Sequence, residues 1–217
     1  MSQLIKMHPV SPQQAKVFAV VDALRSGSVA FLPTDTTFAL ASEYSNKKGI
    51  EQIRRIKNLD KDHHFTLICD SLSGISRFGQ MTDANFRLIK RLVPGPVTFI
   101  LPASREVPKL LTHTKRNTIG FRVPENPIIN AIVSELGVPL LATTASLPEE
   151  AGIEFPVKHE IVQWFERQVD VVVDDDLDYA PLQSTVVDLT GEEPEIIREG
   201  ENLELVREVI GRYHVSV

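Results

Sequence analysis

The sequence predicts an α/β fold, a single domain in which helices flank a twisted, open, mixed sheet. Three observations predict it. Short apolar runs such as VAFL (29–32), VTFIL (97–101), VPLLA (138–142) and VDVVV (169–173) have the length and β-branched content of buried strands. Between them, apolar residues recur three and four apart, the period of an amphipathic helix. The two kinds of segment alternate along the chain, the pattern of a layered sheet-and-helix domain. The chain has 217 residues, 42% of them hydrophobic, and no internal repeat or low-complexity linker, so one domain over 1–217 can bury a substantial core.

The elements follow in order. In SPQQAKVFAVVDALRSG, Ser11 stands as N-cap, Pro12 as first helical residue and Gln14 as its capping-box partner. Val17, Val20, Val21 and Leu24 then share one face, and Gly27 offers a stop. After the strand VAFL, Asn46 caps KKGIEQIRRIK, whose inner stripe is Ile50, Ile53 and Ile56. FTLIC (65–69) reads as a strand and TDANFRLIKRLV (82–93) as a helix ended by the PGP at 94–96. VTFIL and TIGFRV (118–123) are strands. Asn126 and Pro127 open the helix PIINAIVSEL, Gly137 closes it, and VPLLA follows as a strand. VKHEIVQWFERQ (157–168) suits a helix, and VDVVV, STVVDL (184–189) and EIIRE (195–199) suit strands. NLELVREVIGRY (202–213) closes the chain as a helix. The run Asp174, Asp175, Asp176 reads as a solvated turn, since no ligand spacing makes it a metal site.

Composition narrows the function. A net charge of -6 argues against a surface adapted throughout to nucleic acid, though it is compatible with a local basic groove. The lone Cys69 forms no internal disulfide, which suits a reducing cytoplasm. MSQLIKMHPV lacks the apolar core of a secretory signal, and no run reaches the ~20 apolar residues of a membrane span. The expectation is a cytoplasmic protein without membrane contact. Neither GxxxxGK[ST] nor GxGxxG is present, nor a GxSxG elbow or HExxH. His63 and His64 are adjacent and point apart on most backbones, so no metal site is expected.

Hydroxyls and cations instead gather at strand ends, where open α/β sheets collect ligands. Thr34, Asp35 and Thr36 follow VAFLP, and Thr143, Thr144 and Ser146 follow VPLLA. Thr118 and Arg122 bracket TIGFR, Ser184 opens STVVDL, and Arg198 lies in EIIREG. Hydroxyls donate and accept, and the guanidinium fork matches phosphate or carboxylate. Taken singly, each has an ordinary structural explanation: threonine runs cap loops, and a strand arginine faces water. Their joint recurrence favours a ligand site.

PTDTTFALA, RIKNL, LVPGPVTFIL, TIGFRVPENP, LLATTAS, STVVDLT and IIREG occur in this order across residues 30–200. Together they resemble the YrdC-like family, whose best-known members are threonylcarbamoyl-AMP synthases. The opening residues and HFTL resemble its YciO subgroup. The resemblance covers nearly the whole chain, with the motifs over about 12–200. It implies a YrdC-like open sheet around a concave cleft, and a synthase that joins ATP, L-threonine and bicarbonate into threonylcarbamoyl-adenylate for t6A modification of tRNA. Mg²⁺ would assist, and no permanent cofactor is implied. The resemblance assigns Thr34 to the threonine site, with Asp35 replacing the usual Glu and Thr36 alongside. Lys57 matches the first cation of a K-x-R phosphate motif and Arg122, with Thr118, a T-x-x-x-R strand. Lys57 and Arg122 are the expected catalytic cations. Thr143, Thr144 and Ser146 fall on the Ser-Ala-Asn segment, and Ser184 and Arg198 on C-terminal contacts.

Two departures stand out. Leu59 occupies the second cation position of K-x-R, with Arg54, Arg55 and Lys61 nearby, and Ser146 replaces an Asn amide. Losing a charge-assisted hydrogen bond costs ~1.5–3 kcal/mol, roughly ten- to a hundredfold in binding. The expectation is nucleotide and L-threonine binding with weak or absent synthase turnover. Two other readings stay open. One is a protein that binds tRNA or double-stranded RNA without catalysis, through KRLV, HTKRN and IRRIKNLDK. The other is a hydrolase of a related acyl-adenylate, for which Asp35 and His113 are the only nearby bases. Trp164 is a candidate contact, and the sequence leaves the oligomeric state open.

Overall fold

The computed structural model describes residues 2–60, 63, 65–113, 115–153, 156–178 and 182–213. Its strands are β1 (Gln3–Lys6), β2 (Ala30–Pro33), β3 (Phe38–Glu43), β4 (Thr66–Ile68), β5 (Val97–Pro102), β6 (Thr118–Arg122), β7 (Leu140–Thr144), β8 (Val171–Asp174), β9 (Thr185–Asp188) and β10 (Glu195–Arg198). Its α-helices are α1 (Gln14–Arg25), α2 (Lys47–Ile56), α3 (Leu72–Phe78), α4 (Asp83–Lys90), α5 (Pro127–Leu136), α6 (Lys158–Phe165) and α7 (Leu203–Gly211). The architecture is the mixed α/β class that the alternating pattern predicts. The chain divides into two compact units, Met1–Asp60 with Asn126–Pro181, and Lys61–Glu125 with Leu182–Val217.

In the first unit the strands lie in the order β1, β8, β2, β3, β7. β1 and β2 run parallel to β8, with Leu4 and Phe31 both opposite Val172. β2 and β3 form an antiparallel hairpin from Ala30↔Ala41 to Pro33↔Phe38, and β7 continues it antiparallel with Ala39↔Thr144. α1 turns Val17, Val20, Val21 and Leu24 inward, and α5 packs against it. The asparagine caps are where the residues put them. Asn46 Oδ1 accepts the N–H groups of Lys48 and Gly49, and Asn126 Oδ1 those of Ile128 and Ile129. Gly137 closes α5 at φ 76°, a left-handed conformation that a side chain would strain.

Two expectations fail here. Ser11 does not cap α1, which begins at Gln14 after an N-cap Gln13 without a side-chain cap. His8 Nδ1 accepts the N–H groups of Val10 and Ser11, so the imidazole closes the turn that the serine was expected to begin. The acidic run is not a solvated turn either. Lys158 Nζ lies 2.7 Å from Asp174 and 2.9 Å from Asp175, which is only 2% exposed, and only Asp176 faces outward toward Lys6.

In the second unit the order is β4, β6, β5, β9, β10. β4 is parallel to β6, β6 antiparallel to β5, β5 parallel to β9, and β9 antiparallel to β10. The register of β10 shifts between Ile196 and Arg198, leaving Ile197 half exposed. Cys69 follows β4 in full burial. Desolvation, aided by Asp70, pushes its thiol up to about 12, so it stays protonated at neutral pH. Among the described residues no helix is long and apolar enough to cross a membrane.

Candidate functional site

In the first unit, the predicted hydroxyls and one predicted cation converge around an aromatic cluster. Thr34 to Thr37 form the loop of the β2–β3 hairpin, and Thr34, Thr36 and Thr37 are buried. The Thr34 hydroxyl donates to Thr37 O at 2.5 Å and accepts the N–H groups of Thr36 and Thr37, each at 3.2 Å. The same oxygen is 3.2 Å from Thr36 Oγ1. Thr34 thus closes its own turn, and Asp35 sits half-buried at the tip. Because β7 pairs with β3, Thr143 stands opposite Leu40 and Thr144 opposite Ala39, and Ala145 N donates to Phe38 O at 2.9 Å. The chain then presents Ser146, which meets Lys57.

Lys57 ends α2 and Asn58 turns the chain away at φ 49°. Its Nζ donates to Ser146 O at 2.6 Å and Ser146 Oγ at 2.9 Å, and lies 5.8 Å from the centre of the Phe165 ring. Phe165 belongs to a cluster in which Phe31 stacks on Phe38 at 4.6 Å. Burial holds the Lys57 ammonium below the usual lysine range. Lys158 borders the same cluster, 5.9 Å from the Phe38 ring centre. Burial works against its charge, but hydrogen bonds to Asp174 and Asp175 outweigh that, and its pKa rises.

Of the three cations near Leu59, Arg54 and Arg55 lie among the described residues. Arg54 Nη1 is committed to Asp60 O at 2.6 Å, while Leu59 N returns a bond to Arg54 O. Arg55 is exposed, and Lys61 lies outside the described residues, as does His64.

The second unit assembles a smaller group around Ser184. Its Oγ is 3.0 Å from Thr98 Oγ1 and accepts Arg198 Nη2 at 2.8 Å, while Arg198 Nε donates to Ser184 O at 3.0 Å. Arg198 is solvent-accessible, yet desolvation lowers its pKa, since only neutral oxygens meet it. The register Phe99↔Phe121, carried one residue on, sets the buried Arg122 opposite Thr98. Thr118 lies at the other end of β6, opposite Pro102 and four residues away, or about 13 Å at ~3.3 Å per residue. The structure therefore groups Arg122, Ser184 and Arg198 along neighbouring strands and leaves Thr118 apart. His113 is occupied in its loop, its Nδ1 accepting the N–H groups of Lys115 and Arg116. Trp164 is 39% exposed on α6.

Sequence reasoning overlooked three contributors: Thr98, buried mid-strand; Phe165, which reads as ordinary core; and Gly200. A Cβ at Gly200 would collide with Gln183 O and lie 2.7 Å from Ser184 C, so glycine is what lets 198–201 cross 183–185 closely enough for Arg198 to reach Ser184. The glycine in IIREG was the available signal. Among the described residues no group of three or more His, Cys, Asp or Glu side chains is placed to hold a metal. The separate grouping of cations and hydroxyls suits binding of anions and small polar ligands.

Known proteins resemble the chain along most of its length. The family model for Sua5, YciO and YrdC, described as telomere recombination, matches residues 22–200. YciO of Escherichia coli strain K12 is 41% identical over 203 residues, covering 92% of this chain and 96% of YciO. The crystal structure of E. coli YciO superposes with a TM-score of 0.86 at 40% identity over 93% of this chain and 97% of the other. The threonylcarbamoyl-AMP synthase of Vibrio vulnificus strain YJ016 is 32% identical over 131 residues, 59% of this chain and 70% of the synthase. Sua5 of Pyrococcus abyssi complexed with L-threonine shares the fold at a TM-score of 0.86 and 23% identity, over 97% of this chain and 61% of that one. By the extent of the family match and the YciO identity, the chain belongs to the Sua5/YciO/YrdC family.

Proposed function

We propose that this protein binds ATP and L-threonine and retains a weak threonylcarbamoyl-AMP synthase activity. The observation that carries the reading is Lys57, a partly desolvated ammonium whose hydrogen bonds among the described residues go to the two oxygens of Ser146. A cation held without a countercharge favours an incoming anion, because the anion replaces lost solvation. In this reading Lys57 exchanges Ser146 for an ATP phosphate. The hydroxyls of Thr34, Thr36, Thr143 and Thr144, in the same unit, orient the amino acid. The amine of L-threonine takes up carbon dioxide from bicarbonate as a carbamate. The carbamate oxygen attacks the α-phosphorus, the bond to the β-phosphate bridging oxygen breaks, and pyrophosphate leaves. The chain's part is positioning and charge neutralisation. Mg²⁺ would enter with the ATP phosphates; among the described residues no cluster of three or more His, Cys, Asp or Glu side chains is placed to hold it.

Weak turnover follows from Leu59. Leu59 carries no charge where the motif has its second cation, and Arg54 Nη1 donates to Asp60 O. The test is incubation with ATP, Mg²⁺, L-threonine and bicarbonate while pyrophosphate is followed, alongside calorimetry with ATP. The expected outcome is measurable ATP affinity, slow threonine-dependent pyrophosphate release, and a gain of about tenfold or more in Leu59→Arg. No ATP binding at millimolar concentration overturns the reading, and rapid turnover in the parent chain overturns the role given to Leu59.

A further inference from the structure

The backbones that carry Lys57 and Ser146 are each fixed locally. Lys57 N donates to Ile53 O at 3.0 Å as α2 ends, and the fully buried Ala145, just before Ser146, donates its N–H to Phe38 O at 2.9 Å. The contact between the two residues therefore rests on the flexible lysine side chain, whose Nζ reaches Ser146 O at 2.6 Å and Ser146 Oγ at 2.9 Å. Its two sides differ in burial. Ser146 is exposed, so water can solvate both of its oxygens once the lysine leaves, and no polar group is stranded there. Lys57 is half-buried and its charge is disfavoured by burial, so it needs another oxygen in their place. Lys158 has the opposite arrangement. Two carboxylates hold its ammonium at 2.7 and 2.9 Å, and Asp175 is only 2% exposed, so an incoming anion would have to displace like charge from a buried place.

We infer that Ser146 is an internal competitor of the nucleotide: its carbonyl and hydroxyl occupy Lys57 in the resting protein, and a phosphate binds only where that contact is broken. This autoinhibitory contact rests on the ATP reading above. It gives Ser146 the opposite role from the ligand contact that the resemblance implies. A site that is open only part of the time has its affinity reduced by the open fraction. An ammonium held by two oxygens is free less often than one held by a single oxygen, so loss of the hydroxyl raises that fraction. The carbonyl bond survives any side-chain substitution at 146, which keeps the gain modest. The contact is a second brake on the site beside Leu59, and it acts on nucleotide affinity.

The test is calorimetry of ATP binding to the parent, Ser146→Ala, Lys57→Ala and the double variant at neutral pH. Because Ser146 is exposed, Ser146→Ala should keep the fold, and it should bind ATP about threefold or more tightly than the parent. In the Lys57→Ala background, at the higher concentrations its weaker binding requires, the same substitution should change nothing, since no ammonium is left to compete for. Tripolyphosphate should show the gain that ATP shows, and adenosine, which carries no phosphate, should show none. Weaker ATP binding by Ser146→Ala would make Ser146 a ligand contact and overturn the inference, as would a gain that persists without Lys57 or that adenosine shares. Equal binding by parent and Ser146→Ala overturns the inference and leaves the ATP reading standing. Binding by Ser146→Ala alone supports the inference and overturns the reading for the parent chain, and binding by neither at millimolar concentration overturns both.

Discussion

A lysine buried beside neutral oxygens and one buried beside carboxylates behave differently, and this protein contains both within its first unit. Lys57, whose oxygen partners are neutral, has its pKa lowered by burial, so it sheds its proton at a lower pH than an ordinary lysine. If its ammonium holds an ATP phosphate, affinity should be level through neutral pH and fall on the alkaline side before ~10.4, the ordinary lysine value. Lys57→Arg keeps a charge throughout and should lose that alkaline fall, whereas Lys57→Ala should bind ATP about ten- to a hundredfold more weakly at every pH. Calorimetry across pH checks both, and an unchanged alkaline limb in Lys57→Arg would refute the assignment. At this scale the sequence singled out hydroxyls and cations at strand ends, because they are unusual there in type and place. What it hid was their resting partners. That Thr34 donates to Thr37 O, or that Arg54 is spent on Asp60 O, depends on backbone geometry that no side-chain pattern encodes.

Among the elements, legibility followed the strength of the local signal. Asn46 and Asn126 were readable as caps because each precedes a clear helical period, and Gly137 because its left-handed turn favours glycine. β1 escaped because QLIK is four residues whose strand character comes from pairing with β8, and α3 because LSGISRF is only seven residues with a glycine inside. The β9–β10 pair shows how an element can matter to the site without looking like it. Gly200 N donates to Thr185 Oγ1 at 3.1 Å, Thr185 Oγ1 donates to Glu201 O at 2.6 Å, and Glu201 N donates to Gln183 O at 2.8 Å. A methyl at position 200 meets backbone rather than a flexible side chain, so the segments must part. Gly200→Ala should therefore cost about 1–3 kcal/mol of stability, as overpacking does. Denaturant titration checks it, and a variant of parental stability would show that the crossing has slack.

For the molecule as a whole, the question is how charge sets stability against pH. Most ion pairs contribute little. Lys6–Asp176, Arg77–Glu106 and Arg207–Glu199 are about half exposed or more, where such pairs are worth ~0–1 kcal/mol. Lys158 with Asp174 and Asp175 is different, at side-chain exposures of 11%, 20% and 2%. For Asp174, burial raises the pKa but the bonds from Lys158 and from Asp176 N prevail and lower it. Its contribution is therefore present above ~3.9, the unfolded value, and is lost as pH falls through the lower folded one. Lys158 has a raised pKa, so its contribution is present below ~10.4 and is lost as pH rises through the higher folded value. Between those limits the cluster's contribution is flat. Lys158→Ala strands a buried carboxylate pair and should cost about 3 kcal/mol at neutral pH. Trp164, the sole tryptophan, sits on the same helix as Lys158, so its fluorescence in urea reads the change. The gap between parent and variant should narrow as pH approaches 4, because the stranded carboxylates can then take up protons in the folded variant. A gap below 1 kcal/mol, or one that stays constant with pH, would mean that the acidic run behaves as solvated charge after all, and that α6 is held to β8 by packing alone.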